Sequence, residues 1–128
     1  RSGACSMNAQ PHADQRFRDE TTLLRLAEHL SFAVQDAAKA SSAADLEDNR
    51  PLLNSVAMEL IQAQEAANRL SDAFISEIPD LPWPQLRGLR NIIVHEHDAI
   101  DADELYRTVT VDVPHLIELL QPIVNAIE

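Results

Sequence analysis

Cysteine, glycine and aromatic side chains are scarce in this chain of 128 residues, and each scarcity excludes a class of protein. Cys5 is the only cysteine, so no intrachain disulfide can form, and a reducing cytoplasm is the expected location. No apolar run approaches the roughly 18–20 residues that a membrane span requires, and no apolar core of a secretory leader is visible. The 2 glycines, the 4% aromatic content and the abundance of Ala and Leu are typical of an all-helical protein.

Basic residues are also scarce, since 10 Lys and Arg stand against 21 Asp and Glu, for a net charge of −11. Because Lys and Arg supply most of the affinity for phosphate backbones, this balance argues against indiscriminate nucleic-acid binding. The stretch 81–97 differs, since its formal charges are Arg87, Arg90 and Glu96, a net +1. A small basic island in an acidic chain fits a site that handles one phosphate better than a surface that follows a nucleic-acid backbone.

The spacing of apolar residues predicts one all-α domain, an antiparallel bundle of four or five helices over residues 14–128. Residues 1–6, ahead of Met7, are interpreted as the remnant of an expression vector, and residues 1–13 as a whole as a disordered N-terminus. The first helix is predicted from about Asp14 to Ala40. Its predicted buried face consists of Leu23, Leu26, Ala27, Leu30, Ala33, Val34 and Ala37.

The second helix follows a polar connection, which is predicted over residues 41–49. Asn49 or Asp48 can cap this helix, and Pro51 is at the first turn, where a proline is tolerated. The helix extends to about residue 77, and its length predicts a kink or break whose position the pattern does not give.

The third helix is predicted over residues 84–97, with Gly88 explained by the close approach of another helix. Asp101, at capping-box spacing from the glutamate three residues later, is predicted to start a fourth helix. Pro114 then kinks or divides that helix. A strand over residues 108–111 is rejected, because the chain offers no partner strand.

The segment 86–97 is the most informative part of the sequence, because it places Arg90 and His95 around a short apolar run. Cleavage of a phosphodiester needs a permanent positive charge, which arginine provides, and a group that exchanges protons near neutrality, which histidine provides. At 3.6 residues per turn, the two residues lie about 140° apart on a helix. Either the helix ends near His95, or the site combines two copies of the helix.

The string Arg-Asn-x-x-x-His at residues 90–95 resembles the Arg-x-x-x-x-His signature of the HEPN superfamily. It is more closely similar to the HepT-like proteins, in which the signature continues as His-x-Tyr, and here His97 occupies the tyrosine position. The likeness extends to the second-helix segment 65–71, to the linker 78–83 and to the segment 108–114 after the histidine. The resemblance implies a HEPN-type bundle that forms a small homodimer. Many proteins of this family are ribonuclease toxins that need no metal and no other cofactor.

The resemblance further implies that Arg90 and His95 are the catalytic pair, with Asn91, His97 and Glu65 in supporting positions. In a homodimer, two copies of His95 would supply the base and the acid of transesterification, each proton transfer being worth roughly 10²–10⁴-fold. The implied partner antitoxin is a minimal nucleotidyltransferase of the MNT type, which in characterised pairs transfers AMP to the tyrosine. With His97 at that position, we expect either tight non-covalent binding of the antitoxin or an AMP–histidine adduct.

Each of these residues also has an ordinary structural explanation. Arg90 could be a surface ion-pair partner, His95 an exposed imidazole, and Asn91 a solvated polar residue or one that orients its neighbours. Glu65 is either plain helix surface or part of the site lining. No metal site is predicted, because alternate residues around His97 face apart on a helix and no cysteine or second histidine cluster completes the coordination.

Three functions are compatible with these features. The predicted one is an RNA-cleaving toxin of a toxin–antitoxin system. The alternative is a catalytically inert HEPN dimer that binds a nucleotidyltransferase, which the net charge of −11 and the departure at His97 favour. The third is a structural helical adaptor whose motif is vestigial.

Overall fold

The computed structural model describes the backbone of residues 4–128 and the side chains of residues 13–97 and 99–128. Over these residues the chain is an all-α bundle with no β-strand, which confirms the predicted fold class. The α-helices are α1 (Ala4–Ala37), α2 (Ala43–Asp48), α3 (Arg50–Arg69), α4 (Asp72–Glu77), α5 (Trp83–Arg87), α6 (Leu89–Ile93), α7 (Ala102–Arg107) and α8 (Val113–Ile127). A 3-10 turn covers Glu96–Asp98, and a π-helical turn covers Thr108–Asp112.

Helices α1 and α3 form the central antiparallel pair of the bundle. His29 Nδ1 on α1 lies 2.7 Å from Glu59 Oε1 on α3, and further along α1 the Asp36 carboxylate accepts a hydrogen bond from Ser55 Oγ, at 3.0 Å. Because later residues of α1 meet earlier residues of α3, the two helices run in opposite directions. Five residues of the predicted apolar face of α1 are buried, with Leu23, Leu26, Leu30, Ala33 and Ala37 at 0–3% exposure. The other two, Ala27 and Val34, are half-buried.

The start of α1 differs from the prediction. The helix runs continuously from Ala4, so the expected start near Asp14 is wrong. That expectation followed the buried apolar stripe, which starts at Leu23 and does not mark where the backbone helix begins. The interpretation of residues 1–13 as an expression remnant and a disordered N-terminus stays a prediction, and residues 1–3 lie outside the described part of the chain.

The break in the predicted second helix lies at residues 70 and 71, between α3 and α4. Ser71 caps α4, because its hydroxyl oxygen accepts the Phe74 backbone N–H at 3.2 Å. Asp19 of α1, which is 3% exposed, accepts both the Ser71 backbone N–H at 3.0 Å and the Ser71 hydroxyl at 2.6 Å. A carboxylate from another helix therefore stabilises the position of the break.

The segment 41–49 is not the polar connection that its composition predicts. It contains α2, which is capped by the Ser42 hydroxyl, and Leu46 in its second turn is fully buried. A single leucine among polar residues gives no periodicity, so only the packing of α2 against α7 and α3 reveals the helix. The predicted cap at Asn49 is confirmed, because its side chain accepts the Leu52 backbone N–H at 3.3 Å.

The C-terminal helix begins with the predicted Asp101 cap and is not broken at Pro114. Arg107, Asp112 and Val113 all keep right-handed helical backbone angles. The π-helical turn Thr108–Asp112 joins α7 to α8, and it places Pro114 in the first turn of α8. The wider π-helical register, in which the Val113 N–H binds Thr108 O, lets the helix continue into Pro114, which has no N–H of its own. The predicted kink or division at Pro114 is therefore wrong. The rejection of a strand over residues 108–111 is confirmed.

Candidate functional site

The predicted third helix is two short helices followed by a loop. Helix α6 ends at Ile93, and Val94 is extended, with φ −116° and ψ 125°. Val94 pairs with Ile100 in an isolated antiparallel bridge. The predicted continuation of the helix to His97 is therefore wrong, and the helix ends before His95. Three consecutive β-branched residues favour this change, since they lose side-chain freedom in a helix and pair readily in extended backbone.

Gly88 separates α5 from α6, with φ −115° and ψ 10°. A Cβ atom at this position would lie 3.1 Å from the backbone oxygen of Pro84. The expected close approach of another helix is therefore not the reason for this glycine within the described chain. The preceding turn of its own segment fills the space, and the glycine lets α6 start immediately after α5.

Arg90 is the second residue of α6, and its side chain is exposed. Its backbone N–H donates to Gln64 Oε1 of α3 at 2.6 Å. Because the first N–H groups of a helix lack acceptors within the helix, Gln64 serves as a cap that fastens the start of α6 to α3. Glu65, predicted as a supporting residue, is the next residue along α3 and is exposed, as is Asn91.

Arg87, the other arginine of the basic island, has a structural role. Its Nε donates to the backbone oxygen of Ala67 at 3.4 Å, near the end of α3. A cation is favourable at a helix C-terminus, where backbone oxygens lack partners. The basic island predicted from the sequence is thus divided, because Arg87 stabilises α3 and Arg90 is exposed at the surface.

The segment after α6 is a closed loop that begins and ends at the same place. The Asp101 backbone N–H donates to Ile93 O, and the His95 backbone N–H donates to Ala99 O, both at 2.9 Å. His97, near the middle of this loop, has φ 64° and ψ 25°, a left-handed conformation that is uncommon outside glycine, asparagine and aspartate. Both His95 and His97 are exposed.

The closed loop brings the side chains of His95 and Asp101 into contact, with His95 Nε2 and Asp101 Oδ2 2.9 Å apart. The other carboxylate oxygen, Oδ1, accepts the Glu104 backbone N–H at 3.1 Å as the cap of α7. The hydrogen bond from the Glu104 amide, and next the one from the His95 ring, lower the pKa of the Asp101 carboxyl below its ordinary value. The sequence predicted Asp101 as a cap but not as the partner of His95.

Three further observations concern metal binding, membrane spanning and the environment of Trp83. Among the side chains that the structure describes, no three His, Cys, Asp or Glu residues are grouped as metal ligands. None of the described helices is long and apolar enough to cross a membrane. Trp83, next to the candidate site in sequence, is 6% exposed and donates from Nε1 to Ile78 O at 2.8 Å. It is therefore a core residue and cannot serve as a stacking surface for a base.

Comparison with known proteins adds the following findings. The family model described as "Ribonuclease HepT-like" matches residues 23–123, a range that contains Arg90, His95 and Asp101. A protein of Methanocaldococcus jannaschii named "Putative RNase MJ1380" is 37% identical over 60 residues, which are 47% of this chain and 53% of that protein. The chain thus aligns with about half the length of this relative. No solved structure matches the chain.

Proposed function

The chain belongs to the HepT-like ribonuclease family, and on that premise we propose that it is a metal-independent endoribonuclease whose catalytic residues are Arg90 and His95. The observation that carries this proposal is the placement of these two residues. Both are exposed, Arg90 in the first turn of α6 and His95 two residues past its end, and the ring of His95 is in contact with the Asp101 carboxylate. An exposed arginine and an oriented imidazole within one short segment are suited to phosphodiester chemistry.

The proposed reaction is transesterification within the RNA strand. A base removes the proton of the ribose 2′-hydroxyl while the bond between O2′ and phosphorus forms. The bond between phosphorus and O5′ then breaks, and an acid gives its proton to O5′, which leaves a 2′,3′-cyclic phosphate and a 5′-hydroxyl. Arg90 stabilises the charge that develops on the phosphoryl oxygens, a contribution of about 3 kcal/mol by analogy with oxyanion donors.

The need for both a base and an acid supports a homodimer. His95 is the only histidine of the motif, and His97, although exposed, lies in a different backbone conformation two residues further on. A two-fold axis close to α6 would bring two copies of His95 to one phosphate. Sedimentation at micromolar concentration is expected to show a dimer, and a stable monomer there would contradict the two-histidine site.

We further propose that the chain is the toxin of a toxin–antitoxin pair whose antitoxin is an MNT-type nucleotidyltransferase, acting in the cytoplasm. The position that carries tyrosine in the family is His97, which is exposed in the loop. A histidine phosphoramidate hydrolyses more readily than a tyrosine phosphodiester. Inhibition by tight non-covalent binding over this loop is therefore proposed in preference to an AMP–histidine adduct.

The second candidate function is an inert HEPN dimer that only binds the nucleotidyltransferase. The observation that favours it is the net charge of −11, which repels RNA outside the immediate neighbourhood of Arg90. The two candidates make opposite predictions for RNA incubated with the purified protein.

The test is a gel assay on labelled RNA in the presence of EDTA. Arg90→Ala and His95→Ala are each expected to abolish cleavage while leaving the fold intact, because both side chains are exposed. The matched controls are Arg50→Ala and His115→Ala, which remove an exposed arginine and an exposed histidine elsewhere on the bundle. Equal cleavage by wild type, Arg90→Ala and His95→Ala would contradict the assignment, and no cleavage by wild type would favour the inert dimer.

A further inference from the structure

The contact between His95 and Asp101 is built into the backbone. The loop that separates the two residues is closed at its base by the hydrogen bond from the Asp101 N–H to Ile93 O, and within it the His95 N–H binds Ala99 O. The bridge between Val94 and Ile100 lies directly between these two bonds. The ring and the carboxylate therefore start from fixed neighbouring backbone positions, and their contact does not depend on side-chain rotation alone.

The chemistry of the contact fixes the position of a proton. An ionised carboxylate only accepts hydrogen bonds, and both oxygens of Asp101 accept one, Oδ1 from the Glu104 amide and Oδ2 from the His95 ring. The His95 proton must therefore be on Nε2, so in the neutral ring Nδ1 carries the lone pair. The His95 side chain is 55% exposed, and because Nε2 contacts Asp101, Nδ1 is the ring nitrogen left to meet a substrate.

We propose that Asp101 is the positioning residue of His95 and that Nδ1 is the atom of His95 that exchanges a proton with RNA. This inference rests on the proposed ribonuclease function. As the base, Nδ1 takes the proton of the 2′-hydroxyl, and the imidazolium so formed keeps its Nε2–H on the Asp101 carboxylate. As the acid, an imidazolium of the second copy gives its Nδ1 proton to O5′ when the bond to phosphorus breaks.

The test variant is Asp101→Asn, which separates the two roles of the side chain. Asparagine caps helices as well as aspartate does, so α7 keeps its start. Its amide replaces one of the two carboxylate oxygens by an NH2 group, so when the oxygen caps the Glu104 N–H, a donor instead of an acceptor faces the His95 ring. The matched control is Asp103→Asn, which removes the same charge from an exposed position in the same turn.

Turnover on RNA is expected to fall by about 10- to 100-fold in Asp101→Asn, a part of the roughly 10²–10⁴-fold that a positioned acid or base contributes. It should be unchanged in Asp103→Asn. Because Asp101 is proposed to act through His95 and not on the substrate, the loss should lie in kcat with KM nearly constant.

A second readout, the nitrogen NMR spectrum of the His95 ring in the free protein, requires no activity. Wild type is expected to show the Nε2–H form of the neutral ring. In Asp101→Asn the oxygen stays with the cap and the amide N–H faces the ring, so the population should move toward the Nδ1–H form. His95→Ala identifies the His95 signals by their disappearance.

Each outcome decides the proposal. A fall in kcat together with the change of ring form supports it. An unchanged kcat in Asp101→Asn overturns it, and so does a fall in kcat with an unchanged ring form. An Nδ1–H ring in the wild-type protein also overturns it, and this measurement holds even if Asp101→Asn fails to fold. Failure of the proposed function is distinguishable, because it would appear as cleavage that survives His95→Ala or as the absence of cleavage in wild type.

Discussion

Replacing Asp19 with alanine is expected to destabilise the fold at the α3–α4 break while leaving the candidate site untouched. Asp19 is almost fully buried on α1, and its carboxylate accepts three hydrogen bonds. Two come from the N–H and the hydroxyl of Ser71, at 3.0 and 2.6 Å, and one comes from Gln15 Nε2 at 3.1 Å. The alanine variant leaves the two Ser71 donors without an acceptor at the point where α3 ends and α4 starts.

The size of the effect follows from those two donors. A buried donor without a partner costs about 1–3 kcal/mol, and removal of the carboxylate also removes its own desolvation cost, which offsets part of the loss. Gln15 is only partly buried and can turn toward water. We therefore expect the free energy of unfolding to fall by about 2–4 kcal/mol, with a fall in Tm of roughly 5–15 °C.

The assay is urea unfolding followed by circular dichroism, with calorimetry for Tm, at one fixed protein concentration because a dimer would make both depend on it. Asp19→Asn, which keeps one acceptor oxygen, should lose about half as much. Gln15→Ala is the control and should change stability by less than about 0.5 kcal/mol. If the free energy of unfolding of Asp19→Ala lies within about 0.5 kcal/mol of wild type, with the same dependence on urea concentration, this carboxylate does not stabilise the break.

Three further expectations concern other parts of the molecule. Leu46→Ala should lower the free energy of unfolding by about 2–5 kcal/mol, because Leu46 is fully buried. The control Met58→Ala, at a position that is 53% exposed, should change it little. Equal losses in the two variants would show that α2 does not belong to the core. Because the pKa of Asp101 is lowered in the folded state, its stabilising effect is complete above the unfolded value of about 3.9 and disappears as the pH falls through the lower folded value. Acid unfolding of Asp101→Asn should accordingly depend less on pH between about 2 and 5 than that of wild type, and parallel curves would contradict this. After incubation with the partner nucleotidyltransferase and ATP, the intact mass of the chain should be unchanged in an inactive complex, whereas AMP on Tyr106, or on a serine or threonine, would defeat both this expectation and that of an adduct on His97.

Local patterns predicted the parts of the fold that depend on neighbours in sequence. The leucine spacing of α1 and the caps at Asn49 and Asp101 involve residues within one or two turns, and all three are present in the structure. The break before Ser71 was predicted without a position, because the carboxylate that stabilises it is Asp19, in another helix. Helix α2 was missed, since a single buried leucine produces no periodic signal.

In the candidate site, too, local patterns were readable from the sequence and contacts between distant residues were not. The motif gave Arg90 and His95 as candidate residues, but the end of α6 at Ile93 depends on a bridge between residues on either side of a loop. Because the helix ends there, His95 meets Asp101, a contact that no helical spacing predicts. Gln64, which caps α6 from α3, was likewise invisible, since a glutamine on a helix surface carries no distinguishing pattern.

The Asp101 carboxylate both caps α7 and contacts the His95 ring, so opening of the first turn of α7 is coupled to the orientation of that ring. When the first turn of α7 frays, the Glu104 amide loses its acceptor and exchanges its hydrogen with solvent. The same event moves the carboxylate that holds His95. Deuterium uptake at the Glu104 amide is therefore a measure of how often the ring is released. A protein that bound the outer surface of α7 and opened its first turn would remove the carboxylate that orients His95, without covering Arg90.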